Sequence, residues 1–120
     1  MDRKELEWRT KRFHIDVIRL CGQMPKTAVG FELTRQLCRA AGSVGANYRA
    51  SRRAKSKADF SNKVKIVLEE SDESHYWLEV IRETELITGR EIDRLIREAN
   101  ELTAIFTAMD KTASQKKATP

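Results

Sequence analysis

Arg90-Glu91-Ile92-Asp93-Arg94-Leu95-Ile96-Arg97-Glu98-Ala99-Asn100-Glu101-Leu102-Thr103-Ala104-Ile105-Phe106-Thr107-Ala108-Met109 decides the fold class. Ile92, Leu95, Ile96, Ala99, Leu102, Ile105, Phe106 and Met109 recur every three or four residues, which gathers them on one side of an α-helix. A strand would send Leu95 and Ile96, and again Ile105 and Phe106, to opposite faces. The intervening positions are charged or small, so one face is made for a core and the other for water.

The same reading extends to the rest of the chain. Leu6, Phe13, Val17, Leu20, Cys21 and Met24 form a stripe over about Arg3 to Met24, and Pro25 halts the helix. Lys26 to Gly30 are expected to connect it to a second helix, Phe31 to Ala54, with Leu33, Leu37, Ala40, Ala41, Val44 and Tyr48 as its stripe. The middle of that helix is small: Ala40, Ala41, Gly42, Ser43, Gly45 and Ala46. Glycine inside a helix costs roughly 1 kcal/mol against alanine, so two in one turn point to another helix lying very close. Ser56 is a good N-cap, and Asp59 three residues on completes a capping-box pattern. Phe60, Val64, Val67, Leu68, Ser71, Leu78 and Ile81 then run to about Ile87, with Gly89 as the stop. Asp110 to Pro120 have no large apolar residue and are expected to be disordered. The fold predicted is all-α: an antiparallel up-and-down four-helix bundle over residues 1–110 with a flexible basic tail at 111–120.

Composition agrees. A chain of 120 residues allows one compact domain, and five Gly with two Pro do not supply the turns of an all-β fold. No run of about 18 apolar residues marks a membrane span, and the first residues lack the apolar core of a secretory signal, so no membrane partner and a cytoplasmic location are expected. Cys21 and Cys38 are then free thiols, read as small hydrophobes on their stripes. Two Cys and two His in scattered places offer no zinc site, and Asp72-Glu73-Ser74-His75 is a single near-match to the paired Glu-x-x-His of a di-iron bundle. Neither a metal nor a cofactor is expected. There is no Gly-rich phosphate loop and no nucleophile motif, and His75 beside Asp72 and Glu73 is the one acid–base cluster, so no catalytic residue is assigned and the chain reads as a non-enzyme.

Charge is unevenly distributed around a net +5. Residues 49–65 hold seven basic side chains and one acidic, whereas residues 66–110 hold four basic and twelve acidic. The basic block sits where helices two and three meet, at one end of the bundle. It reads in three ways. It is a solvated end whose cations suit the C-terminus of helix two. It is a patch that contacts the phosphates of RNA or DNA. Or it meets the acidic face of another subunit. In the second reading Arg49, Arg52, Arg53, Lys55, Lys57 and Lys63 touch phosphates, and the nearby aromatics, Tyr48 and Phe60, are core-facing, which favours backbone over base recognition.

Gln36-Leu37-Cys38-Arg39-Ala40-Ala41-Gly42-Ser43-Val44-Gly45-Ala46-Asn47-Tyr48-Arg49 resembles the signature of a bacterial four-helix bundle family, named for proteins encoded in intervening sequences of large-subunit ribosomal RNA. Ser56 to Phe60 and Glu69 to Leu78 resemble it too, so the likeness spans about Phe13 to Phe106. Where many members have Ile-Ala-Glu-Gly after the Asn, this chain has Tyr48-Arg49-Ala50-Ser51, a more basic surface. The resemblance implies a ring-like homo-oligomer, a pentamer. Accessory proteins of diversity-generating retroelements are similar, and they bind a reverse transcriptase and nucleic acid through a basic surface. Within the shared run, Ser43 and Gly45 allow close helix approach. Asn47 is expected to bond a group on helix three, since Asn is poorly favoured in a helix interior. Glu73 is expected to pair with an arginine such as Arg39, with an exposed acidic face as the alternative, and Trp77 to belong to the core or a subunit interface. The function expected is a non-catalytic oligomer that binds nucleic acid at its basic end. The alternative is a scaffold or adaptor for a protein such as a reverse transcriptase.

Overall fold

The computed structural model describes residues 1–118, with side chains described to residue 115. It contains four helices: α1 (Arg3–Cys21), α2 (Ala28–Ser51), α3 (Lys57–Glu83) and α4 (Arg90–Ala118). Each packs on its neighbours in the chain and α1 closes onto α4, while the diagonal pairs keep their backbones apart and meet only through side chains in the core. Short connections make the helices alternate in direction, giving an up-and-down bundle of 52 × 25 × 22 Å. Phe13, Val17 and Leu20 of α1, Leu37 and Val44 of α2, Val64, Leu78 and Ile81 of α3, and Ile92, Leu95, Leu102 and Phe106 of α4 fill the centre with almost no exposure. These are the stripe residues read from the sequence, because a helix hides the face that carries its large apolar side chains.

The small stretch of α2 does what its glycines demand. A Cβ on Gly45 would stand 3.5 Å from the Thr10 backbone of α1, and one on Gly42 would stand 3.0 Å from the His14 ring. At Gly45 the two helices are near enough that a single added carbon would already be in van der Waals contact with the α1 backbone, and at Gly42 the His14 ring would have to give way to it.

Three helix ends differ from the sequence reading. α1 stops at Cys21, before Pro25, because the Gly22 amide turns back to Arg19 and Leu20 carbonyls. α2 begins at Ala28 because the Thr27 hydroxyl accepts from the Gly30 amide; Gly30 is therefore buried in the first turn and not part of the connection. α3 ends at Glu83, not near Ile87. The Leu86 amide donates to Ile81 and the Glu85 amide to Arg82, with Glu85 left-handed at φ 61°. This is a Schellman closure with Glu in the place usually held by glycine.

The fourth difference is length. α4 runs nine residues past Met109, to Ala118. Ala113 is buried, and Lys65 of α3 reaches Asp110 and Ser114 at 2.9 and 3.4 Å. Small and helix-favouring residues continue the helix without needing a large apolar face, since α3 supplies partners. The expected flexible tail at 111–120 is thus helical to residue 118, and its last two residues lie outside the described ones.

The acidic block is not only a solvated face. Glu98 and Glu101 of α4 hold Arg9 of α1 at 2.6 and 3.1 Å, and Arg94 of α4 holds the nearly buried Asp16 of α1 at 2.8 Å. These pairs close the α1–α4 seam, and Arg9 with Glu98, bidentate and half-buried, is worth more than a pair on open surface.

Candidate nucleic-acid interface

The end of the bundle where α1 and α3 start and α2 finishes collects the candidate cations. Arg49 lies in the last turn of α2, Arg52 is its C-cap and Arg53 follows, three and four residues on from Arg49, so the three sit close together where the helix ends. Because α1 runs antiparallel beside α2, its first turns face them. Arg3, Glu7, Arg49, Arg52 and Arg53 together line a hollow of about 250 Å³. One carboxylate, Glu7, serves four guanidinium groups: it pairs directly with Arg52, and Arg49 stands off at 3.9 Å. Arg49 keeps 68% of its side chain exposed, and Arg53 is exposed as well. The excess of positive charge is therefore open to solvent.

Beside the hollow, and sharing Arg3 and Arg52 with it, lies a cleft of about 540 Å³. Leu6, Phe60, Met109 and Ala113 give it an apolar floor, and Lys57 joins the cationic rim. Tyr48 also lines it, with its ring buried and tilted against Phe106 at 5.5 Å. Burial pushes the phenol above its ordinary range, with Arg52 and Arg3 pulling the other way.

The remaining candidates are placed less favourably. Ser56 caps α3 by accepting from the Asp59 amide at 3.0 Å, as expected, while Asp59 reaches back not to the Ser56 amide of a true capping box but to the Lys55 amide one residue earlier, at 3.0 Å. The Lys55 amide, first of all, holds the Asp59 carboxyl below its ordinary value. Asp59 also stands 3.3 Å from Lys63, so that cation is largely compensated and lines neither cavity. Lys55 is exposed at the turn, outside both cavities. Two participants were missed in the sequence: Arg3 and Glu7, which lie some 45 residues from the block. Their one signal was the pairing of the start of α1 with the end of α2 that antiparallel topology requires.

Among the residues given structural roles, Gly45 sits at the α1–α2 crossing and Ser43 is half-buried. Asn47 does not reach α3: its amide donates to the Ser43 carbonyl of its own helix at 2.9 Å. That carbonyl lies one turn back, within reach of a short side chain, so the local bond forms in place of the cross-helix one. Glu73 does pair with Arg39, which also holds Glu70 at 3.0 Å. The Trp77 indole donates to Glu73 at 3.0 Å, and Tyr76 meets Trp77 edge-on at 5.1 Å. Burial lifts the Glu70 carboxyl above its usual range, with Arg39 opposing. His75 faces Glu79 at 3.2 Å on an outer face, apart from the cationic end. Among the described residues, no three His, Cys, Asp or Glu side chains converge on a point that would hold a metal ion. No helix among them is long and apolar enough to cross a membrane.

Fold and charge thus define an antiparallel four-helix bundle with a cationic end assembled from three of its helices. The chain belongs to the 23S rRNA-intervening sequence protein family, whose model matches residues 6–108. It is also similar to a crystal structure of a protein with unknown function from the S23 ribosomal protein family of Bacteroides thetaiotaomicron. That chain is 29% identical, the match covers 92% of this chain and 99% of that one, and the TM-score is 0.83. No curated protein matches the sequence significantly.

Proposed function

We propose that this protein is a non-catalytic, oligomeric bundle that binds a nucleic-acid backbone at its cationic end. The observation that carries the reading is the convergence of Arg3, Arg49, Arg52 and Arg53 on one hollow with Glu7 as its single carboxylate. Four cations from two helices, held by a rigid bundle, present the multiple phosphate contacts that release counterions from a polyanion. Assembly into a homo-oligomer, a pentamer by the family resemblance, would repeat the patch and raise a modest affinity by avidity. Support for assembly comes from α1, whose outward side bears exposed Trp8 and Ile18 with Ile15 between them. Lys4 and Lys11 flank that stripe, while exposed Glu69, Asp72 and Glu83 surround exposed Tyr76 on α3, a complementary surface for a second copy.

The test is fluorescence anisotropy against salt, with a labelled structured RNA and a matched DNA duplex. Binding that weakens linearly in log salt supports phosphate contacts, and preference between the probes names the polymer. Changing Arg52, Arg53 and Lys55 to Glu should abolish binding and leave the oligomer intact by light scattering. Loss of the oligomer instead would favour the second reading, an adaptor for a protein partner such as a reverse transcriptase with its charges used in assembly. That reading rests on the same outward stripe of α1.

A further inference from the structure

We infer that the cleft beside the arginine hollow takes an unpaired nucleobase, so that the strand recognised at this end is single-stranded or bulged. The inference rests on the backbone-binding reading above and names its substrate class. A site that meets only phosphates needs cations and no apolar floor. Here the rim, Arg3, Arg52 and Lys57, is cationic, and the floor, with Leu6, Phe60 and Met109, is apolar. That pairing matches the two halves of a nucleotide, a charged phosphate and a flat, weakly polar base. A base inside a duplex has both faces stacked and offers the floor nothing, whereas an unpaired base offers both.

Size agrees: about 540 Å³ lies within the ordinary range for small-ligand pockets, about 300–1,000 Å³. The acidic group on the lining, Asp2, is already engaged, since it caps α1 by accepting from the Glu5 amide at 2.8 Å. Tyr48 lines the cleft, and its hydroxyl makes no hydrogen bond among the described residues, so it is free to donate to a base edge. Charge complementarity and this unused donor select the nucleotide over a second copy of the chain, whose α1 stripe and acidic faces lie elsewhere on the bundle.

The experiment compares a labelled RNA of about ten nucleotides with an abasic ribose-phosphate strand of the same length, at fixed low salt. The base-bearing strand should bind about tenfold tighter, the effect of one base held on an apolar and aromatic surface. Thr112→Trp is the diagnostic variant. Thr112 lines the cleft, is exposed, and is neither core nor charged, so an indole there fills the cleft without touching the cations. It should bring the base-bearing strand down to the abasic affinity and leave the abasic strand unchanged, with the thermal melt confirming the fold. A 4-thiouridine strand should cross-link to residues of the cleft, Phe60 or Met109, in the natural protein and not in Thr112→Trp.

Equal binding of the two strands, with no effect of Thr112→Trp, would overturn the base pocket and leave phosphate binding standing. An equal loss for both strands in Thr112→Trp would overturn it too, showing the cleft to be a path for the backbone. No binding of either strand would overturn the backbone reading, and the pocket with it.

Discussion

Replacing Arg49 and Arg53 together by alanine separates phosphate contact from structural charge. Arg49 is 68% exposed at its side chain and 3.9 Å from Glu7, and Arg53 is exposed with no ion pair among the described residues. Neither supports the fold, so the double variant should keep its urea-unfolding free energy within about 0.5 kcal/mol. Each lost phosphate contact should lower the slope of log affinity against log salt by ~0.7 on a single strand and ~0.9 on a duplex. Two contacts give ~1.4 and ~1.8. Between 50 and 200 mM salt the natural protein should therefore lose about sevenfold more of its single-strand affinity than the variant does. Lys65→Ala is the control, because that ammonium is held by Asp110 and Ser114 on the α3–α4 seam. Anisotropy salt series on the three proteins give the slopes. An unchanged slope in the double variant, or an equal fall in Lys65→Ala, would refute the assignment of the hollow as the phosphate site.

Four further outcomes follow from the geometry. Gly30→Ala should destabilise the bundle by about 1–3 kcal/mol in urea unfolding, since its Cβ would lie 1.9 Å from the Pro25 carbonyl oxygen. Glu85→Gly should raise the melting temperature by relieving a left-handed residue, worth about 1 kcal/mol. Asp59→Ala should lower the melting temperature at neutral pH and lose that effect in acid. The folded carboxyl titrates below its ordinary 3.8, so its contribution is complete above that value and disappears as pH falls through the lower folded one. Cys21 and Cys38 stand 3.6 Å apart, and a thiolate on Cys38, stabilised by the Cys21 thiol, is pulled down to about 7 while Cys21 is pushed up. Oxidised glutathione should cross-link the two, giving up its disulfide for two thiols as the pair loses two electrons and two protons; mass spectrometry reads the bond, and Cys38→Ser prevents it.

The helices, and the side each turns inward, are written in the order of residues along the chain. Periodicity is a property of neighbours along the chain, so Leu95 with Ile96 and Val64 with Val67 announced their faces without any knowledge of partners. Local hydrogen bonding was equally readable at Ser56 and Asp59, whose capping lies within four residues. Ends closed by less common means escaped: the Schellman turn at Glu85 lacks its usual glycine, and α4 continued through residues with no large apolar group because α3 was there to meet them. Arg39 with Glu73 was legible because a half-buried carboxylate needs a cation. Asn47 was not, because its own helix offers the Ser43 carbonyl one turn back, which the side chain takes instead of a group on α3.

Which cations act together depends on how the helices pack. The basic run from Arg49 to Lys65 is continuous in sequence, yet α2 ends and α3 begins within it, and the two helices turn its members different ways. Lys63 and Lys65 went to Asp59 and Asp110, while Arg49, Arg52 and Arg53 gained Arg3 and Glu7 from α1. The physical reason is that charge acts through space. Its effect depends on how far one helix is rotated and shifted against the next, and that is fixed by the packing of Gly45 on Thr10 and Tyr48 on Phe106.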